Sequence, residues 1–137
     1  MKKKLSILFI EDDLIELMKL KRTMQILELS HTVVQVNNGE EALEGLQKGE
    51  FLPDIIVSDL HMPILSGTEF LEILKADIKL RHLPVIILSS SDNLTELKKC
   101  YELGIAGYMI KPLKFEDYMD QLKSLMDYWS FSAFVKS

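Results

Sequence analysis

A single cysteine, Cys100, stands among 137 residues, so neither an internal disulfide nor a multi-cysteine metal centre can form. That usage agrees with a reducing compartment, and Cys100 reads as a small buried hydrophobe on a helix. Long apolar runs are missing as well. After Met1-Lys2-Lys3-Lys4 only six mostly apolar residues precede three acids, too short a stretch for a secretory segment, and a spanning helix needs about 20. The chain is expected to be soluble and cytoplasmic, with no membrane insertion. It also lacks an excess of positive charge: 16 Lys and Arg against 21 Asp and Glu leave a formal net charge of -5. That field opposes a phosphate backbone, which argues against nucleic acid as a direct partner. No internal repeat, low-complexity tract or linker is visible, and 47% hydrophobic residues in this length suit one core.

What is present is an alternation of strand-like and helix-like patterns. Leu5 to Ile10 forms an apolar run, after which Leu14, Leu17, Leu20, Met24 and Leu27 recur at helical steps from a start near Asp13. Thr32 to Val36 reads as a β-branched strand, punctuated by Asn38-Gly39, and a short helix through Ala42, Leu43 and Leu46 runs to Gly49. A third strand lies near Asp54 to Ser58, and beyond Pro63 and Gly67 a helix carries Phe70, Leu71 and Leu74. Pro84 opens a fourth strand; Ser91 or Asp92 is expected to cap the helix of Leu94, Leu97 and Tyr101. After Gly104 and Gly107 a fifth strand leads to a last helix with Phe115, Tyr118, Met119, Leu122, Leu125, Met126 and Trp129 on one face. The Met and Leu positions of the first and last helices are expected in the core. Five strands alternating with five helices predict an α/β fold with a doubly wound parallel sheet covered on both faces.

In such a sheet, ligands bind beyond the carboxyl ends of the strands. Four of the apolar runs end in groups suited to phosphoryl chemistry: Glu11-Asp12-Asp13, Asp59, Ser89-Ser90-Ser91 and Lys111-Pro112. Carboxylates crowded in one pocket are relieved by a cation, and Mg2+ takes one or two of them while keeping waters and sharing a phosphoryl oxygen. Glu11, Asp12 and Asp59 are the candidate metal site. An aspartate carboxylate is a competent nucleophile toward phosphorus, and the transfer needs mainly positioning and charge stabilisation. Asp59, Mg2+, Lys111 and Ser89 supply that set.

On these residues the sequence resembles the receiver domain of two-component response regulators over about residues 4 to 127. The resemblance rests on Ile7 to Asp13, on Asp54 to Pro63 with Gly67 following, on Pro84 to Ser90, and on Gly107 to Pro112. It implies a flavodoxin-like sheet of strand order 2-1-3-4-5. It implies Asp59 as phosphoacceptor, loaded by a histidine kinase or phosphotransfer protein, and Mg2+ held by Asp12, Asp59 and the backbone carbonyl of His61 with Glu11 nearby. Ser89 and Lys111 would hold the phosphoryl group, Tyr108 would swing inward as Ser89 moves, and the Lys111–Pro112 bond would be cis. Glu11 stands where Asp is more frequent and Ser89 where Thr is more frequent; carboxylate and hydroxyl are kept.

The expected function is a single-domain response regulator that switches a protein interaction surface, not an enzyme turning over an external substrate. The alternative is a pseudo-receiver that binds without phosphorylation. A haloacid-dehalogenase-type phosphatase is disfavoured because His61 occupies the place of its second Asp, and a flavin module because the loop after the first strand is acidic. Residues 1–129 are assigned to the receiver and 130–137 to an aromatic tail, with no separate effector domain. The tail either packs over the last helix or forms a homodimer or partner contact; the downstream protein is unnamed by the sequence. His31, His82 and the His61 side chain carry no metal-binding pattern.

Overall fold

The computed structural model describes residues 2–135. Ten elements alternate: β1 (Ser6–Ile10), α1 (Leu14–Ile26), β2 (Thr32–Val36), α2 (Gly39–Lys48), β3 (Ile55–Ser58), α3 (Gly67–Ala76), β4 (Val85–Ser89), α4 (Leu94–Glu102), β5 (Gly107–Ile110) and α5 (Phe115–Ser130). All strand pairings are parallel, in the order β2-β1-β3-β4-β5. The doubly wound sheet and its strand order are therefore as anticipated. Side chains of a strand alternate between its faces, which divides the core in two. Leu8, Ile10, Ile56 and Ile87 pack with Leu43, Leu46, Phe70, Leu71, Leu74 and Cys100 beneath α2, α3 and α4. Ile7, Phe9, Ile55, Val57, Ile86 and Leu88 pack with Leu20, Tyr118, Leu122, Leu125 and Met126 beneath α1 and α5.

Helix starts follow from their caps. Asp13 accepts from the N–H groups of Ile15 and Glu16, Asn38 from Glu41, and Ser66 forms a reciprocal capping box with Glu69. α4 begins later than Ser91 or Asp92 would place it. Asn93 is its cap, accepting from Glu96 N–H at 3.0 Å, because the Ser91 hydroxyl is spent on the Glu96 carboxylate at 2.7 Å.

The apolar face of α1 also differs from expectation. Leu20 and Thr23 are buried and Leu17, Met24 and Leu27 partly so, whereas Leu14 is 74% exposed and Met18 68%. The first turn of α1 stands beyond the carboxyl ends of the strands, so no sheet lies beneath Leu14, and Met18 belongs to the opposite face. In the tail, Phe134 stacks on Trp129 with ring centroids 6.1 Å apart, Lys3 Nζ lies 4.8 Å from the Phe134 ring centroid, and the Lys3 N–H donates to the Ser130 carbonyl. Phe131 and Val135 remain exposed; residues 136 and 137 of the assigned tail lie outside the described residues. No helix of the described residues is long and apolar enough to cross a membrane.

Candidate functional site

The register of the sheet assembles the site. Ile10 pairs with Ser58, and Ser89 with Ile110. The ladder continues one residue past the strands, with Asp59 N–H donating to the Ile10 carbonyl at 3.2 Å and Lys111 N–H to the Ser89 carbonyl at 2.8 Å. Glu11 N–H donates to the Val36 carbonyl at 3.0 Å. Glu11, Asp59 and Lys111 are thereby aligned along one edge although 100 residues separate the first from the last.

A cavity of about 480 Å³ opens there, lined by Glu11, Asp12, Asp13, Glu16, Lys19, Asp59, His61, Ser90, Lys111, Pro112 and Leu113. Lys111 Nζ stands 3.1 Å from Glu11 Oε1, 3.8 Å from Glu16 Oε2 and 4.0 Å from Asp59 Oδ1. Burial alone would lower the lysine's pKa, but the carboxylates of Asp59, Glu11 and Glu16 outweigh it and the net direction is upward. Glu11 is 3% exposed, and burial raises its carboxyl pKa despite the opposing pull of Lys111. Asp59 Oδ1 accepts from the N–H of Leu60 at 2.8 Å; Oδ2 has no hydrogen-bond partner among the described residues. The anionic cluster thus favours the charged form of Lys111, and Asp59 lines the cavity with one carboxylate oxygen free of protein donors among the described residues.

Of the predicted site residues, Glu11, Asp12, Asp59, His61 and Lys111 share this cavity, while Ser89 and Tyr108 do not line it. Ser89 is buried behind the rim, its hydroxyl accepting from Ser91 N–H at 3.2 Å, and Tyr108 is half-buried with its hydroxyl donating to the Ser91 carbonyl at 2.9 Å. Both Glu11 oxygens are engaged, Oε1 with Lys111 and Oε2 with Asp13 N–H. Among the described residues no three His, Cys, Asp or Glu side chains are gathered to hold a metal. The Lys111–Pro112 bond is not cis, since no cis peptide occurs among the described residues; trans is the lower-energy isomer by about 0.5–1 kcal/mol, and Lys111 reaches the carboxylates from it.

Gly67 completes the acceptor turn. Its N–H donates to the Leu60 carbonyl at 2.8 Å, and a Cβ there would stand 2.8 Å from Leu60 Cα and 2.9 Å from the Asp59 carbonyl oxygen. Only glycine lets α3 start this close to the loop.

Two acids at the rim escaped the sequence reading. Glu16 sits beside Lys111 and is bridged to Lys19 at 3.0 Å; Glu96 reaches His61 Nε2 at 3.1 Å and Ser91. Both occupy the third position of a capped helix, after Asp13 and Asn93. Helices that follow parallel strands start at the carboxyl edge, so the spacing from cap to third residue was the available signal.

The family model of the response regulator receiver domain matches residues 7–123. The chain belongs to that family. Among curated relatives, this receiver is 31% identical to the probable methanogenesis regulatory protein FilR2 of Methanothrix harundinacea, over 90% of this chain and 82% of that protein. It is 33% identical to the two-component response regulator ARR17 of Arabidopsis thaliana, over 90% of this chain and 85% of that one. Among solved structures, the phosphorylated cyanobacterial phytochrome response regulator RcpA superposes with a TM-score of 0.88 at 26% identity, covering 98% of this receiver and 100% of RcpA. The response regulator RPA3017 of R. palustris gives 0.86 at 28% identity, covering 96% and 99%.

Proposed function

We propose that this receiver accepts a phosphoryl group on Asp59 and uses it to switch a protein interaction surface. The observation that carries the reading is the placement of the Asp59 carboxylate 4.0 Å from a charged Lys111 at the mouth of the carboxyl-edge cavity, with one aspartate oxygen free of protein donors. Asp59 Oδ2 attacks phosphorus, a new P–O bond forms, and the bond from phosphorus to the donor's nitrogen or acyl oxygen breaks with its electron pair leaving on the donor. Lys111 supplies positive charge beside the transferring group. It does so by turning from Glu11 and Glu16 toward the phosphoryl oxygens.

Mg2+ fits the donor chemistry. Asp12, Asp59 and the His61 backbone carbonyl offer hard oxygens on one cavity, few enough to leave room for water and a phosphoryl oxygen. Glu11 serves as the Lys111 partner instead of a direct ligand. The ion, when bound, neutralises charge on the transferring group. Forms bound to Mn2+ and Mg2+ are described for the similar receivers Rcp1 and PA1611REC, at 23% and 22% identity.

The donor is a histidine kinase or phosphotransfer protein. Ile15 and Met18, each 68% exposed, and the fully exposed Leu113 line an apolar groove with Lys21, Arg22 and Phe115 that adjoins the cavity through Lys19 and Leu113. An apolar patch rimmed by charge beside a reactive group suits a transient protein contact. Ser89 follows the phosphoryl group, and Tyr108 follows the loop that its hydroxyl now holds. The downstream signal is a changed surface on α4, β5 and α5, not turnover of a substrate.

Incubation with Mg2+ and acetyl phosphate, read by intact mass beside Asp59→Asn, tests this. One phosphoryl group gained by the parent and none by the variant is the expected result. Equal gain in both, or none in a folded parent, would overturn it.

A further inference from the structure

Glu96 occupies a position that neither the family motifs nor the catalytic set explains. Its two oxygens face different loops. Oε2 lies 3.1 Å from His61 Nε2, on the loop that follows the acceptor, and Oε1 accepts from the Ser91 hydroxyl at 2.7 Å, on the loop between β4 and α4. Ser91 is itself a crossing point. Its N–H donates to the Ser89 hydroxyl at 3.2 Å, its carbonyl accepts from the Tyr108 hydroxyl at 2.9 Å, and its Oγ accepts from Asn93 N–H at 3.3 Å. One connected set of polar contacts, a close approach of His61 to Glu96 followed by hydrogen bonds through Ser91, therefore runs from beside Asp59 to both residues assigned to switching.

We propose that Glu96 is a positioning residue that ties the acceptor loop to the β4–α4 loop in the resting protein, so that switching must break its contacts with His61 and Ser91. The proposal rests on the phosphoacceptor reading of Asp59. Its physical basis is the connectivity. Ser89 cannot turn its hydroxyl toward a phosphoryl group on Asp59 and also go on accepting from Ser91 N–H at the same angle, and Ser91 cannot follow without straining its bonds to Glu96 and Tyr108. The contacts exist in the resting arrangement and bias the equilibrium against the switched one. Removing them raises the fraction of molecules already competent to switch, and apparent affinity for any ligand of the switched state rises in proportion. One hydrogen bond of ordinary net strength, with little added by a contact whose imidazole is mostly exposed, corresponds to about a three- to tenfold shift.

Beryllium fluoride with Mg2+ is a suitable probe, because it occupies an aspartate carboxylate as a phosphoryl mimic and its binding is an equilibrium measured by calorimetry. The parent, Glu96→Gln and Glu96→Ala are compared, with thermal melting to confirm folding. Glu96→Ala is expected to bind about three- to tenfold more tightly than the parent, and Glu96→Gln to fall between them because it keeps an acceptor for Ser91. Faster amide exchange at residues 90–97 in the unliganded Glu96→Ala protein is the second expected sign, one that a purely local loss of helix stability at α4 would not couple to tighter binding. A parent that binds the probe while both Glu96 variants match it or bind more weakly would overturn the role of Glu96 alone. A folded parent with no binding would overturn the phosphoacceptor reading and this inference with it.

Discussion

Gly67→Ala tests whether the acceptor turn is built on one close approach of backbone to backbone. The added Cβ would stand 2.8 Å from Leu60 Cα, 2.9 Å from the Asp59 carbonyl oxygen and 2.9 Å from the Leu60 carbonyl oxygen. None of these atoms belongs to a rotatable side chain, so either the turn or the start of α3 has to move. Forced overpacking costs about 1–3 kcal/mol, and the helix preference of alanine over glycine, about 1 kcal/mol in a helix interior, returns less than that at a first helical position. A net loss of about 1–2 kcal/mol lowers the melting temperature of a chain this long by about 3–8 °C. The same movement reaches the chemistry, because Leu60 N–H holds Asp59 Oδ1 at 2.8 Å. Misplacing a nucleophile by a fraction of an ångström is expected to slow phosphoryl uptake about tenfold. Thermal denaturation and timed mass spectrometry with acetyl phosphate read both effects. Gly107→Ala is the control, since a Cβ there meets nothing within 4 Å. A Gly67→Ala protein as stable as the parent and loaded at the parent's rate would refute the reasoning.

Two further substitutions probe the buried polar groups around the site. The Tyr118 hydroxyl is buried without a hydrogen-bond partner among the described residues, so Tyr118→Phe is expected to stabilise the fold by about 1 kcal/mol at neutral pH in urea unfolding. Burial, then Glu16 and Glu11, push the phenol pKa above its ordinary value. A raised folded pKa means the stability is complete below the unfolded value of about 10 and is lost as pH rises beyond it, a loss the phenylalanine variant should lack. Lys111→Met removes the partner of a buried carboxylate and should destabilise the protein at neutral pH by about 1–3 kcal/mol. Without the lysine, the pKa of Glu11 in the folded state rises further, so the deficit should shrink as pH falls through that value toward the unfolded carboxylate range near 4.3; denaturant midpoints at pH 7 and pH 5 measure it. A deficit that grows on acidification would contradict the pairing.

The sequence alone settled the sheet and the chemical character of its edge. Apolar runs such as Ile55 to Ser58 and Val85 to Ser89, separated by capped amphipathic stretches, leave few arrangements other than parallel strands with crossover helices, and parallel strands must present their carboxyl ends together. That is why Glu11, Asp59 and Lys111 are legible in the chain itself, local signals and topology pointing the same way. What depends on distances between loops was decided only by the tertiary structure. Leu14 fits a helical period yet faces outward, because periodicity does not say where the sheet beneath a helix ends. Asn93 rather than Ser91 or Asp92 caps α4, because Ser91 has a better partner in Glu96 once the chain is folded. Lys111 meets Glu16 as well as Glu11 and Asp59, and Glu96 meets His61 across two loops. Such pairs join residues with no fixed spacing in the chain, and only the packing of helix starts along one sheet edge brings them within 4.0 Å of one another.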